Sequence, residues 1–428
     1  MNERPAGSLP AGARGAVPDW RAWTILLLLA AGLGGNFYVY DSIGPVAELL
    51  QRQRGFSDTQ IGLLNAIYNL PNVVLLLAGG VMIDRHGAAR VSLLTGALCL
   101  AGAALTAFNS GFAAMASGRL LFGIGAETFN LAALAAVAQV FAQRHLAFAM
   151  AFSLAIGRLG SFAADMSPTW FAGAYADGWQ APLAIAVLVA AGSVAATGAW
   201  CGLARAPRPW RPAAQRPAPW ALRELLRLGR AYWLMLALCV LWYAVIIAFR
   251  STFAIKYFQD TRGLDLAHAG AMNSYVFLAA LFATPALGWL CDRTGHAAAL
   301  LVFGALLLPL AFAVLALTPW NLWIATALIG VSFSLVPAVM WPLASRLVAP
   351  ERFGTALGFM WVVQNLGIAG ANVVAGALND RAGAGALHPA GYQPMMAFFG
   401  AGSALGAGLA VLLWRRVGRM QAAPPPSA

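Results

Sequence analysis

Gly80-Val-Met-Ile-Asp84-Arg85-His-Gly87 and Gly288-Trp-Leu-Cys-Asp292-Arg293-Thr-Gly295 decide how this chain is to be read. Both follow the pattern Gly-x-x-x-Asp-Arg-x-Gly, and they lie 208 residues apart, position 80 against position 288. The same offset pairs Gly62 with Gly270 and Asn65 with Asn273, and an offset of 207 pairs Leu159-Gly160 with Leu366-Gly367. One offset carrying several such pairs indicates two related halves. The chemistry of the motif is that of a latch. Its Asp can cap a neighbouring helix N-terminus, its Arg can pair with carboxylates at adjacent helix ends, and its glycines let helices approach closely. Such a latch holds one gate state and breaks in the other. A single copy is no more than a polar turn; two at matched positions mark an architecture. A third copy, Gly376-x-x-x-Asp380-Arg381-x-Gly383, falls on the outer side by the span count and reads as a cap.

The composition sets the solvent. Of 428 residues, 61% are hydrophobic and only 10% charged, against about 25% charged in a globular protein. Mean hydropathy is +0.72. Such a chain belongs in lipid. Its apolar runs, most of them charge-free and two between Arg119 and Asp177 interrupted by charges, are each near the length that crosses a bilayer and number about twelve. The segment 204–230 breaks the series with seven Arg and five Pro. The expected fold is therefore an all-α membrane protein of twelve transmembrane helices in two pseudo-symmetric bundles. Residues 1–20 form an N-terminal arm, 21–203 the first six-helix bundle and 204–230 a linker with an amphipathic helix. Residues 231–414 form the second bundle and 415–428 a tail.

The charge balance fits this division. Lys and Arg total 27 against 15 acidic residues, and Lys256 is the one lysine. With both termini and the linker in the cytoplasm, roughly 19 basic residues fall on that side and about five outside, a strong positive-inside bias. This explains the basic character without nucleic acid. The Ala/Gly/Arg-rich style points to a bacterial cytoplasmic membrane, and a monomer is expected. Cys99, Cys201, Cys239 and Cys291 lie in apolar runs without metal spacing, and the five histidines form no cluster, so no metal or cofactor is expected. Neither His-Glu-x-x-His nor Gly-x-Ser-x-Gly occurs, which argues against an enzyme.

Ionisable groups within spans are costly and mark cavities or partners. They are Arg119 and Glu127 in span four, Arg158 and Asp165 in span five, and Arg250 in span seven, with Asp41 and Lys256 nearer outer ends. Glu127 and Arg158 lie about midway along adjacent antiparallel helices. They can bind the two ends of a zwitterion or simply pair with each other; both readings stay open at this point. At the 207 offset Glu127 maps to Ser334, Arg158 to Asn365 and Arg119 to Thr326, so the second half keeps polarity and drops charge. That asymmetry suits an asymmetric ligand. Asp165, seven residues from Arg158 on one helix face, is the expected partner of that arginine. Arg250 either lines the cavity or reaches outward. Tyr38, Tyr40, Tyr68, Trp242, Tyr243 and Trp361 can line a pocket, although packing is the commoner role for any one of them.

The paired Gly-x-x-x-Asp-Arg-x-Gly motifs resemble the signature of the major facilitator superfamily. The likeness spans nearly the whole chain. Within residues 36–165 it narrows to the lysosomal dipeptide uniporter branch. The strings are Tyr40-Asp41, Pro71-Asn72-Val73-Val74, Gly79-Gly80-x-x-Ile83-Asp84-Arg85, Gly118-Arg119-x-x-Phe122-Gly123-Ile124-Gly125-x-Glu127 and Arg158-x-Gly160-Ser161. The resemblance implies alternating access, with Glu127 taking the ammonium and Arg158 the carboxylate of a dipeptide-like zwitterion. Tyr40, Asp41, Tyr68, Asn72, Arg250, Ser334 and Asn365 complete the expected site. The chain departs from the branch after the first motif and in a weakly matching second half. Uniport follows the branch, whereas proton coupling would require Glu127, Asp41 or Asp165 to titrate. An organic-anion or drug carrier of the same fold is the alternative. The Glu-x-x-Glu-Arg pattern of proton-coupled oligopeptide carriers is missing from span one, and Ile156-Gly-Arg-Leu-Gly-Ser161 replaces the Gly-Pro motif of drug antiporters.

Overall fold

The structure is a computed structural model and describes residues 20–141, 143–203, 227–294 and 296–422. Most of the expected linker, with its amphipathic helix, and nearly all of the N-terminal arm lie outside the described residues, as does Gly295. Apart from an isolated bridge between Gly385 and His388, regular structure among the described residues is helical.

Among the described residues the helices form twelve long rods. The first combines α1 (Trp20–Asp41) with α2 (Ile43–Arg54), and the second α3 (Asp58–Asn69) with α4 (Asn72–His86). Then come α5 (Ala88–Ala107), α6 (Phe112–Val140), α7 (Gln143–Trp170), the short α8 (Ala172–Ala176) and α9 (Gln180–Leu203). The seventh rod joins α10 (Arg230–Ala248), a π-turn over Phe249–Phe253 and α11 (Ala254–Arg262). The last five are α12 (Leu266–Thr294), α13 (Ala297–Leu317), α14 (Leu322–Leu347), α15 (Pro350–Ala382) and α16 (Gln393–Ala422). Among the described residues, ten stretches are long and apolar enough to cross a membrane. The second and fifth rods run among them.

Several rods outlast their apolar runs. The first apolar run stops at Tyr40, before Asp41, while its rod continues as a helix to Arg54; the last reaches Ala422, past the expected bundle end at 414. Arg and Gln are good helix formers and carry a rod past the bilayer without strain. Local chemistry sets the stops. Gly55, Gly263 and Gly383 adopt left-handed conformations that end their helices. Ser57 and Gln60 form a reciprocal capping box that starts α3. The second rod breaks at Leu70-Pro71, because Pro71 has no N–H for the Ile67 carbonyl and Leu70 N bonds to it instead, at 3.3 Å.

Packing divides the rods by half. α1 packs on α7 and α9, and α5 on α6 and α9; in the second half α13 packs on α14 and α16, and α10 on α15 and α16. One buried apolar cluster runs from Ala231 to Val417, while three others draw their buried members from residues 22–200. Exposed side chains are often large and apolar: Leu188, Phe282, Phe303 and Leu317 face outward, with Trp20, Trp170, Trp320 and Trp414 near rod ends. That is the surface of a protein bathed in lipid with indoles at the interfaces.

With twelve rods, Trp20 and Ala422, the ends of the described residues, share one face, the termini face; the opposite is the far face. The halves meet mainly through α3 on α15 and α7 on α12. The repeat explains how. A Cβ on Gly62 would overlap the Asn372 carbonyl oxygen, and one on its repeat mate Gly270 would overlap that of Asp165. Each half thus brings the same glycine to a cross-bundle contact. Among the described residues, hydrogen bonds and ion pairs between the halves lie on the far side or at mid-depth.

Candidate functional site

Two charge systems among the described residues bear on the site. The first is sealed. Arg250, 2% exposed and on the π-turn, lies 2.8 Å from Asp41 Oδ1 and 3.6 Å from Asp165 Oδ2, with its guanidinium 3.9 Å above the Phe277 ring. These are close ion contacts rather than aligned hydrogen bonds. Asn273 donates to Asp165 Oδ2 at 2.9 Å and to the Arg250 carbonyl at 3.1 Å. Its repeat mate Asn65 donates to the Ser251 carbonyl at 3.2 Å and to Thr252 Oγ1 at 2.8 Å. The π-turn widens the helix and presents these groups, and the two repeat-related asparagines grip it from opposite halves.

This arrangement corrects one expectation. Asp165 pairs with Arg250, not with Arg158. Seven residues along one helix put Asp165 and Arg158 on the same face but about 10 Å apart in depth, and Arg250 takes the carboxylate there. Arg250 and Asp41 are accordingly placed in a cross-bundle ion cluster, away from open space.

Arg119 belongs to the same layer. It is 1% exposed and donates to the carbonyls of Leu64, Val39 and Tyr40 at 3.1–3.2 Å and to Asn65 Oδ1 at 2.7 Å. Tyr40, Tyr68 and Phe122 surround it with ring centroids 5.5–5.6 Å away. Removing it strands several buried acceptors. Arg119→Met is therefore expected to cost about 3–5 kcal/mol. A melting temperature in detergent within about 2 °C of wild type would contradict that role.

The second system is unspent. Glu127 on α6 accepts a hydrogen bond from Tyr68 at 3.0 Å and has no cationic partner among the described residues. Tyr68 itself packs against Tyr40, with centroids 4.6 Å apart and the rings tilted by 55°. Asn72, the first residue of α4 after the Pro71 break, donates to Asn365 Oδ1 at 3.1 Å across the bundles. Its own Oδ1 is buried without a donor. Asn72, Leu75, Glu127, Leu131, Trp361, Val362 and Asn365 line one cleft.

Arg158 on α7 is half-buried. Its guanidinium lies 4.7 Å from the Phe333 ring centroid and 5.7 Å from those of Phe37 and Phe277. No carboxylate pairs with it among the described residues, so Glu127 and Arg158 do not spend their charges on each other. Ser334, the repeat mate of Glu127, does not join this space. Its hydroxyl bonds back to the Gly330 carbonyl at 2.7 Å, and the adjacent Phe333 makes the contact with Arg158. The spacing that predicted Ser334 locates the right turn of α14 but not the side of the helix.

Sequence reasoning missed an aromatic arc on the second bundle. Ring contacts run from Phe277 to Phe333, Trp242, Tyr243, Trp341 and Trp361, with successive centroids 4.8–6.3 Å apart. It begins at Arg158 and ends in the Glu127 cleft. Trp242, Tyr243 and Trp361 were readable as lining candidates; Phe277, Phe333 and Trp341 sit in ordinary apolar runs and carried no signal.

The gating motifs sit at the termini face. Asp84, Arg85 and Arg293 are exposed, and Asp84 and Arg85 form no hydrogen bond or ion pair among the described residues. Gly87 adopts φ +82° and ends α4. A Cβ on Gly80 would meet nothing within 4 Å. The second copy's Gly288 and Asp292 lie in the last turns of α12.

Comparison with known proteins agrees with this architecture. The Major Facilitator Superfamily profile matches residues 26–372. The chain is similar to the Lysosomal dipeptide transporter MFSD1 of Danio rerio, 29% identical over 375 residues, covering 83% of this chain and 80% of that protein. The protein of the same name from Homo sapiens is 28% identical over 377 residues, covering 84% and 80%. Among solved structures, a bacterial homolog of the human lysosomal transporter Spinster, inward-facing and unoccupied, superposes with a TM-score of 0.75. It is 16% identical, over 96% of this chain and 100% of that one, a likeness of fold. With the paired motifs, two bundles of six rods and a matching profile, the chain belongs to the major facilitator superfamily and is a membrane transporter working by alternating access.

Proposed function

We propose that the protein carries dipeptides or closely similar amino zwitterions, binding them at mid-depth between the bundles. One observation carries the reading. Among the described residues Glu127 and Arg158 are charges of opposite sign with no ionic partner beside the cleft and the aromatic arc, whereas Arg250 lies against Asp41 and Asp165 and Arg119 is held by carbonyls and Asn65. An unpaired interior charge is costly unless a ligand or water completes it. Glu127 and the free Asn72 Oδ1 give an ammonium two acceptors in one cleft. Arg158 offers a carboxylate a planar fork of donors. The dipeptide-transporter names of the similar proteins support the same substrate class. Tyr40 supports Tyr68 and acts on the site through that neighbour, whereas Asn365 both accepts from Asn72 and lines the cleft. The aromatic arc gives ligand side chains an apolar face.

The far face is read as external and the termini face as cytoplasmic, from the positive-inside bias. A bacterial cytoplasmic membrane and a monomer remain the fitting setting. Bundles joined at the far face then correspond to an inward-facing state. Glu127, which lines the cleft and has no cationic partner among the described residues, is the carboxylate placed to couple proton movement, and simple uniport needs no titration at all. Glu127→Gln is expected to abolish any component of uptake driven by external acid. Acid-driven uptake that survives this substitution removes Glu127 from that role.

Binding tests the substrate class directly. A ligand that binds only the folded state raises the melting temperature. Dipeptides should stabilise the purified wild-type protein and fail to stabilise folded Glu127→Gln or Arg158→Ala. If organic anions stabilise the wild type and no peptide does, the zwitterion reading is wrong.

A further inference from the structure

The third Gly-x-x-x-Asp-Arg-x-Gly copy sits at the far end of α15, and its contacts cross between the bundles. Asp380 accepts from the backbone N–H groups of Asp58 at 2.7 Å and of Thr59 at 2.9 Å. These are the first two residues of α3, in the other half. The first turn of a helix leaves N–H groups without intrahelical partners. The Ser57 side chain satisfies Gln60 N at 3.2 Å. The α3 start thus caps one donor with its own sequence and receives the acceptor for two more from the opposite bundle. The helix dipole favours a carboxylate there.

The motif's glycine serves the same contact. Gly376 lies one turn before Asp380 on the same face, where a Cβ would overlap the Asp58 carbonyl. Lys256 adds a second cross-bundle tie. Its Nζ lies 3.1 and 3.2 Å from the two Asp58 oxygens and 3.8 Å from Asp260, which accepts from Tyr392 at 2.6 Å. Deeper along the same antiparallel pair come the Gly62–Asn372 approach and the Asn72–Asn365 bond.

We infer that this third copy is a far-face latch, built as a mirror of the first. The second rod and α15 run antiparallel, so each ends beside the start of the other. The second rod carries Asp84 at its C-terminal end, and α15 carries Asp380 at its own. Here the far copy is engaged, with a crowded Gly376 and a bonded Asp380, while the first copy makes no such contact among the described residues: a Cβ on Gly80 meets nothing within 4 Å of them and Asp84 is exposed. Engagement at the far face and at the termini face requires opposite tilts of the same helix pair, so the latches exclude each other. Asp380 and Lys256 therefore position the gate and set which side the transporter opens to.

The test is a distance measurement between spin labels in a cysteine-free background. Labels at Arg52→Cys and Leu387→Cys report the far face, and labels at His86→Cys and Arg346→Cys the termini face. In the otherwise native protein the far pair should give one short population. Asp380→Asn combined with Lys256→Met should add a longer population reaching about half the molecules, while the termini pair shortens. Gly376→Leu, which leaves every charge in place and only wedges α3 from α15, should produce the same shift. The two routes are independent, so one poorly folding variant does not spoil the test. Unchanged far-face distances in whichever of the two variants is monodisperse overturn the latch. A longer far-face distance with no shortening at the termini face overturns the mutual exclusion.

Discussion

Arg158→Ala is expected to lower dipeptide uptake into proteoliposomes by at least about a hundredfold at low substrate, because two charge-assisted hydrogen bonds to the ligand carboxylate would be lost. Arg158→Lys should recover little of it, since an ammonium cannot reproduce the planar fork that aligns both carboxylate oxygens. The stacked environment sharpens the contrast. Phe37, Phe277 and Phe333 crowd the guanidinium, and a flat delocalised cation suits aromatic neighbours better than a strongly hydrated point charge. Uptake measured against substrate concentration, with the folded fraction checked by size exclusion, decides the matter. Saturable uptake with wild-type half-saturation in Arg158→Ala would remove this residue from the site. Equal loss for a dipeptide amide, which lacks the carboxylate, would show that Arg158 acts on something other than the ligand's C-terminus.

The second large effect is on folding. Arg250→Met should destabilise the protein by about 3–5 kcal/mol, because it leaves the buried Asp41 and Asp165 carboxylates facing each other without their cation. The charge explanation has a specific signature. Adding Asp41→Asn and Asp165→Asn to Arg250→Met should restore much of the loss, since the triple variant buries no unpaired charge. A cavity explanation predicts no such rescue, for the methionine fills most of the arginine stem in either background. Melting temperatures of the single and triple variants separate the two. If the triple variant melts no higher than the single, electrostatics does not govern this cluster. The comparison also bears on transport: Asp41 and Asp165 come from the first bundle and Arg250 from the second, so the cluster is a tie the cycle must break.

Much of this molecule was legible in the sequence because membrane burial leaves strong one-dimensional signals. The apolar runs gave the rods, since a bilayer demands a fixed apolar length of helix. The 208-residue offset gave the halves, and it marked Gly62 with Gly270 and Asn65 with Asn273 before their partners were known. Those pairs proved to share physical roles, the glycines at close cross-bundle approaches and the asparagines on one π-turn.

Tertiary structure alone decided which charges are spent. Spacing along a helix places Asp165 on the same face as Arg158, but it is silent about Arg250, which arrives from a different bundle at a different depth. Repeat offsets carry Ser334 to the right turn, yet its hydroxyl turns back to Gly330 and Phe333 faces the arginine. The third motif copy could be seen in the sequence as a cap, but not that the helix it caps belongs to the other half. The physical reason is common to all three. Sequence periodicity fixes rotation and depth within one helix, whereas the pairing of charges and caps depends on how two helices meet, and that is set only when the bundles pack.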